Sequence, residues 1–298
     1  MSQPILSLEL MRKLEQFQLT ASRKAFSSFK GERRSQARGI SVEFADFRNY
    51  VAGDDFRYLD WNLFGRLDRL YLKLYEEERE LPVRIFLDCS KSMDFGSPAK
   101  FDFARQLGAA IGYTTLVGFD RVSFIPLPSE AGASSVVSFL RALRGRKQVL
   151  PFLKSLELLK ASGSLAFDAA LRKAALETRQ VGLAVVISDF LDPQGYAVGL
   201  NALVARGFKI LVIQVLSPEE LDPSTFGDLR LIDSETGSMQ EVTFGKYRLD
   251  AYKKTVANYC QVLREFCGQR GIAHFLFPSN ASLEQVLLKD FRKAKIWG

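Results

Sequence analysis

The alternation that begins after Pro82 constrains the fold more than any other feature of this chain. Short apolar runs take turns with amphipathic stretches along the remaining sequence. Val83–Asp88, Arg121–Pro126, Ala184–Asp189, Lys209–Leu216 and Ile272–Phe277 read as strands. Phe101–Gly118, Ala166–Thr178, Gly195–Arg206, Leu249–Cys267 and Leu283–Lys293 carry helical spacing. Strand, helix, strand with short connections predicts an α/β domain: a mostly parallel, Rossmann-like sheet with helices on both faces. Within it a polar insertion spans 218–245, where Leu229–Ile232 and Glu241–Phe244 flank Thr236-Gly237-Ser238 like a hairpin.

Ahead of Pro82 the pattern differs. Ile5, Leu8, Leu10, Leu14, Phe17 and Leu19 predict an amphipathic helix over 5–27, followed by a basic linker to Gly39. Leu70, Leu72 and Leu74 alternate with Tyr71, Lys73 and Tyr75 as in a half-buried strand. The expected division is therefore a helix and β region over 1–80 and the α/β domain over 81–298. A chain of 298 residues, 47% hydrophobic, suffices for one core domain with such an extension.

Composition removes several functions. A single histidine, His274, makes a His-rich metal centre or a His-based triad hard to build, and it reads as a satisfied core residue. Cys89, Cys260 and Cys267 form no disulfide framework, so a reducing compartment, the cytoplasm, is expected. No apolar run is long enough for a membrane span, and Met1–Leu10 lacks the order of a signal peptide. The net charge of +7 gathers in two stretches, Arg23–Arg38 and 246–298. No aromatic residues alternate with those charges as stacking platforms, so solvated faces are preferred to a nucleic-acid site. The Gly-x-x-x-x-Gly-Lys-Ser/Thr phosphate cradle is missing as well.

Chemistry concentrates at strand ends, where open α/β sheets collect their ligands. The first core strand ends in Asp88-Cys89-Ser90-Lys91-Ser92, and the third ends in Ser188-Asp189. Alternation sends Asp88, Ser90 and Ser92 one way and leaves Cys89 for the core. One carboxylate and two hydroxyls are hard donors suited to Mg²⁺ or Mn²⁺, and Asp189 would complete the shell. The plainer alternative is that Asp88, Ser90 and Ser92 only cap the next helix and close a turn. Lys91 and Asp94 flank the loop without an assigned role. Asp54, Asp55, Arg57 and Asp60 are expected to form a structural ion-pair network with Trp61 as its packing anchor.

The Asp-x-Ser-x-Ser pattern resembles the metal-ion-dependent adhesion site of von Willebrand factor A domains. The upstream residues Gly39–Tyr50 and Gly53–Trp61, with Tyr71–Glu78 and the run into Asp88, resemble the signature of the bacterial domain-of-unknown-function 58 family. The resemblance covers residues from about 39 to the C-terminus. It implies a von Willebrand factor A-like fold and a non-enzymatic, protein-binding role beside a MoxR-type AAA+ ATPase. It also implies Ser90 and Ser92 as direct metal ligands, Asp88 and Asp189 as direct or water-mediated ones, and a partner's acidic residue in the open position. One departure stands out. The threonine expected before Ala169-Ala170-Leu171 is absent, counting back reaches Leu165, and Ser164 serves only if the loop carries an extra residue. The alternatives are a metal-dependent hydrolase, for which no base and nucleophile pair is visible, and a polyanion binder acting through the basic stretches.

Overall fold

The computed structural model describes residues 4–17, 42–77, 81–127, 140–177, 180–223, 227–232, 238–294 and 296. The basic stretch Arg23–Arg38, the rest of the predicted N-terminal helix and the hairpin turn Thr236-Gly237 lie outside them. Two compact units are present: residues 1–28 with 81–298, and residues 29–80.

The N-terminal helix α1 (Leu8–Leu14) starts at Ser7, whose hydroxyl accepts a hydrogen bond from the Leu10 amide. It belongs to the larger unit, so the expected grouping of residues 1–80 is redistributed. The cause is burial: Ile5, Leu6, Leu10 and Leu14 lie in the same apolar cluster as the core sheet.

The smaller unit holds β1 (Val42–Asn49), α2 (Trp61–Leu67) and β2 (Tyr71–Glu77). The two strands pair antiparallel, with a bulge between Phe44 and Asp46. Asp60 caps α2 by accepting from the Asn62 and Leu63 amides. The predicted network resolves into local pairs: Arg48 grips Asp54 through two hydrogen bonds of 2.7 Å, and Arg57 grips Asp55. Trp61 is no packing anchor within this unit, for it is 64% exposed and meets Phe64 edge-on.

The larger unit continues with β3 (Pro82–Asp88), α3 (Lys100–Val117), β4 (Arg121–Leu127), β5 (Leu140–Arg144), α4 (Val149–Glu157), α5 (Phe167–Glu177) and β6 (Leu183–Ser188). Next come α6 (Ala197–Ala205), β7 (Lys209–Leu216), α7 (Pro218–Leu221) and the hairpin β8 (Gly227–Ile232) with β9 (Met239–Phe244). The chain then forms α8 (Lys246–Gln269), β10 (Ala273–Pro278) and α9, a run of Leu283–Gln285, a π turn Val286–Asp290 and Phe291–Lys293.

The sheet order is β10-β7-β6-β3-β4-β5, parallel except for β5 at one edge. The expected α/β architecture holds. Period-two alternation splits the strands between two cores. Val83, Ile85 and Leu87 join one cluster with α3, α4 and α9, while Phe86 joins the other with α5, α6 and α8. Burial on both faces is why these strands read as near-continuous apolar runs.

Topology sets the site. The chain leaves β3 for β4 and β5 on one side, then returns to β6 and β7 on the other. The order reverses at β3, the kind of switch point where open α/β sheets place their ligands, beyond the carboxyl ends of β3 and β6. Pairing of Leu87 with Ile187 brings Asp88 level with Ser188.

Candidate functional site: the tips of β3 and β6

Asp88, Ser90, Ser188 and Asp189 are all buried, a composition that needs full hydrogen bonding to be tolerated. Asp88 Oδ1 accepts from the Ser90 amide at 2.9 Å, and Oδ2 accepts from the Ser188 hydroxyl at 2.6 Å. The Ser90 and Ser92 hydroxyl oxygens lie 2.9 Å apart. Cys89 turns into the apolar cluster, as alternation requires. The predicted Asp-x-Ser-x-Ser loop is thus a single structure, with its oxygens gathered at the carboxyl end of β3.

The loop before α5 runs beside it. The Ser162 amide donates to the Cys89 carbonyl and the Lys91 amide to the Gly163 carbonyl, both at 2.8 Å. Asp192, beyond β6, accepts from the Phe167 amide and so ties the same loop to the other tip. Leu165 is buried in the core beside Phe167 and Leu171. Counting back from the helix therefore lands on a packing residue, and the only hydroxyls of this loop are at Ser162 and Ser164. Ser164 is half-buried, and its hydroxyl makes no hydrogen bond to Ser90 or Ser92. Lys91 and Asp94 are both exposed.

Asp189 is engaged differently from the expectation. Its Oδ1 accepts from the Leu191 amide at 3.0 Å. Its Oδ2 faces the Lys100 ammonium at 2.6 Å, and that ammonium also meets Glu220 Oε1 at 2.6 Å. Lys100 is 1% exposed. Glu220 is fixed in turn by a capping box with Ser217 at the start of α7. Burial and the Asp189 charge raise the Asp88 carboxyl to about 6, and its bonds from Ser188 and Ser90 only partly offset this. Two buried carboxylates thus stand at neighbouring strand tips, one of them matched by an ammonium.

Below the tips, Gln214 is buried in β7, donates to the Asp189 carbonyl at 3.2 Å and lies 3.3 Å from His274 Nε2. Burial pushes His274 down to about 4, which keeps it neutral as a satisfied interior histidine should be. Phe190 adopts φ +60°, a rare conformation for a bulky residue. It is held there by its amide donating to Ser188 Oγ and its carbonyl accepting from the Tyr259 hydroxyl. Strain of this kind collects where the surroundings over-determine a loop.

Sequence reasoning missed Lys100, Glu220 and Gln214. Gln214 left a signal, as the one polar side chain inside the apolar run of β7. Lys100 left none, because its partners lie 89 and 120 residues away.

Among known proteins, an uncharacterized protein of Mycobacterium tuberculosis and one of Mycobacterium bovis are each 28% identical to this chain over 254 residues, covering 84% of it and 78% of themselves. Solved structures give looser likenesses. A conserved hypothetical protein BatB from Bacteroides thetaiotaomicron matches with a TM-score of 0.43 and 17% identity, over 72% of this chain and 98% of its own. A von Willebrand factor type A protein from Catenulispora acidiphila matches with a TM-score of 0.39 and 13% identity, over 75% of this chain and 43% of its own. Residues 46–259 match the family described as protein of unknown function DUF58, and the chain belongs to that family.

Proposed function

We propose that the chain is a protein-binding adaptor that presents the β3 and β6 tips, with a divalent cation, to an acidic side chain of a partner. The observation that carries this reading is the Asp88–Ser90–Ser92 cluster: a buried carboxylate held by Ser188, beside two hydroxyls 2.9 Å apart at the carboxyl end of β3. The donor chemistry fits Mg²⁺ or Mn²⁺, which favour hard oxygens and keep waters. Burial beside the Asp189 charge, which raises the Asp88 carboxyl to about 6, is a condition that a cation would relieve. Among the described residues no group of three or more His, Cys, Asp and Glu could hold a metal, so the hydroxyls are essential to this assignment.

Ser90 and Ser92 would ligate directly, and Asp88 would orient them from behind while adding charge. Ser164, on the loop tied to this one through the Lys91 and Gly163 backbone, would supply a further hydroxyl. A bound cation would supply an open coordination position for a carboxylate oxygen. The partner class that the family resemblance suggests is a MoxR-type AAA+ ATPase. The adaptor reading needs no catalytic base and no cofactor beyond the ion.

The test is capture of a purified MoxR-type ATPase by the immobilised chain, with and without EDTA, set beside Ser90→Ala/Ser92→Ala. Chelation and the double substitution should each lower capture at least about tenfold, the loss of roughly 1.4 kcal/mol of binding. Capture that persists through both defeats the reading.

A further inference from the structure

Lys100 is the first residue of α3, a helix end that disfavours positive charge, yet it is among the largest fully buried side chains of the described residues. Burying an ammonium is costly unless it is paired and hydrogen-bonded. Here the pairing is specific. One hydrogen bond reaches Asp189 from the β6 tip, and one reaches Glu220 from the helix after β7. The Phe95 ring lies 5.9 Å from Nζ and covers it from the loop side. With Leu191 on its other oxygen, Asp189 has no oxygen left without a partner inside the protein. The acid expected to complete the metal shell is therefore already neutralised by a side chain.

We infer that Lys100 is a tethered cation that sets the metal affinity of the tip: it withholds Asp189, leaving the ion to Asp88, Ser90 and Ser92. The inference rests on the adhesion-site reading proposed above. It adds that tight ion binding requires Asp189 to exchange the ammonium for the metal. An ammonium on Asp189, the residue after the Ser188 that holds Asp88, also opposes a bound cation through space, most strongly where water is excluded. The chain is thereby stable without metal and binds it weakly until Lys100 is displaced. Both arms follow from one placement, because the side chain that stabilises the empty pocket is the one that competes for it.

Mn²⁺ titration calorimetry on the full chain tests this with Lys100→Met and Lys100→Gln, the second retaining an N–H donor in case the first fails to fold. Both variants should bind Mn²⁺ at least about tenfold tighter than the parent. Their melting temperatures in EDTA should fall below that of the parent and recover with Mn²⁺, while the parent melts alike in both. Adding Asp189→Asn should remove the gain. A parent that binds Mn²⁺ as tightly as both variants overturns the role of Lys100 and leaves the adhesion site standing. A gain that survives Asp189→Asn overturns the exchange. If neither parent nor variants bind Mn²⁺, the adhesion-site reading fails and takes the inference with it.

Discussion

Two acid-rich regions of this protein use their charges in opposite ways. In the smaller unit, Asp54 and Asp55 sit on exposed turns and meet arginines six and two residues away, while Asp60 caps its own helix. At the tips of β3 and β6, Asp88 and Asp189 are buried and their side-chain partners lie 100 and 89 residues away. Exposed local pairs exchange one hydrated state for another and add little. Buried distant pairs exist only when the whole sheet is assembled, and an unmatched member is costly. Density of charge along the sequence thus marks the less consequential of the two regions. Burial marks the other.

The sharpest way to break this comparison is at two glycines. Gly182 immediately precedes β6, and a Cβ there would lie 1.9 Å from the Pro82 carbonyl oxygen at the start of β3. Backbone cannot yield as a side chain end can, so β3 and β6 would separate where they are registered. Gly182→Ala should destabilise the larger unit by about 1–3 kcal/mol or more. It should also weaken whatever depends on the Asp88–Ser188 bond. Urea denaturation measures the first effect, and an unchanged midpoint would show that the two strands need not approach so closely.

The sheet was legible because buried parallel strands repeat one simple pattern. β7, Lys209–Leu216, matches the expected span residue for residue, since an apolar run interrupted only by Gln214 ends at Ser217-Pro218. β5, Leu140–Arg144, escaped notice because it is short, carries two arginines and sits antiparallel at an edge. β1 escaped because Glu43, Asp46 and Arg48 interrupt its apolar residues. Of the site, Asp88, Ser90 and Ser92 follow from strand alternation, which is local. The pairing of Asp189 with Lys100 depends on where α3 begins relative to β6, which no local pattern encodes. Leu165 shows the same limit, since spacing alone left open whether Ser164 serves through an extra loop residue.

Acid titration sharpens the comparison inside the larger unit. Half-buried His274, held down to about 4 against its ordinary 6.5, stays neutral in the fold while the unfolded chain takes up the proton first. Its contribution is full above pH 6.5 and is lost as the pH falls towards 4. Asp88, raised from 3.8 to about 6, has the reverse sign: the fold binds the proton first, so stability is gained as the pH falls through 6. The two oppose each other over one window. His274→Phe should make stability in EDTA rise more on acidification than the parent's does, and Asp88→Asn should make it fall more. Parallel curves for all three proteins would show that neither group is perturbed by its burial.

The smallest effect, and one of opposite sign, belongs to the smaller unit. Gly65 lies in α2 on its exposed face, with nothing within 4 Å of the place a Cβ would occupy. Alanine there meets no neighbour and restricts the unfolded chain, so Gly65→Ala should stabilise α2 by about 0.5–1 kcal/mol. Hydrogen exchange at the Phe64 and Asp68 amides, which bond back to Asp60 and Phe64, reads this locally as roughly a two- to fivefold slowing. The contrast with Gly182 then becomes a single experiment performed twice: one methyl group added at a buried strand junction, the same group added on an open helix. Slower exchange in Gly65→Ala beside a lowered urea midpoint in Gly182→Ala is what a tolerant smaller unit and an over-determined sheet require. Faster exchange at Asp68 would mean that the added methyl strains α2, and the smaller unit would no longer be the permissive half of the pair.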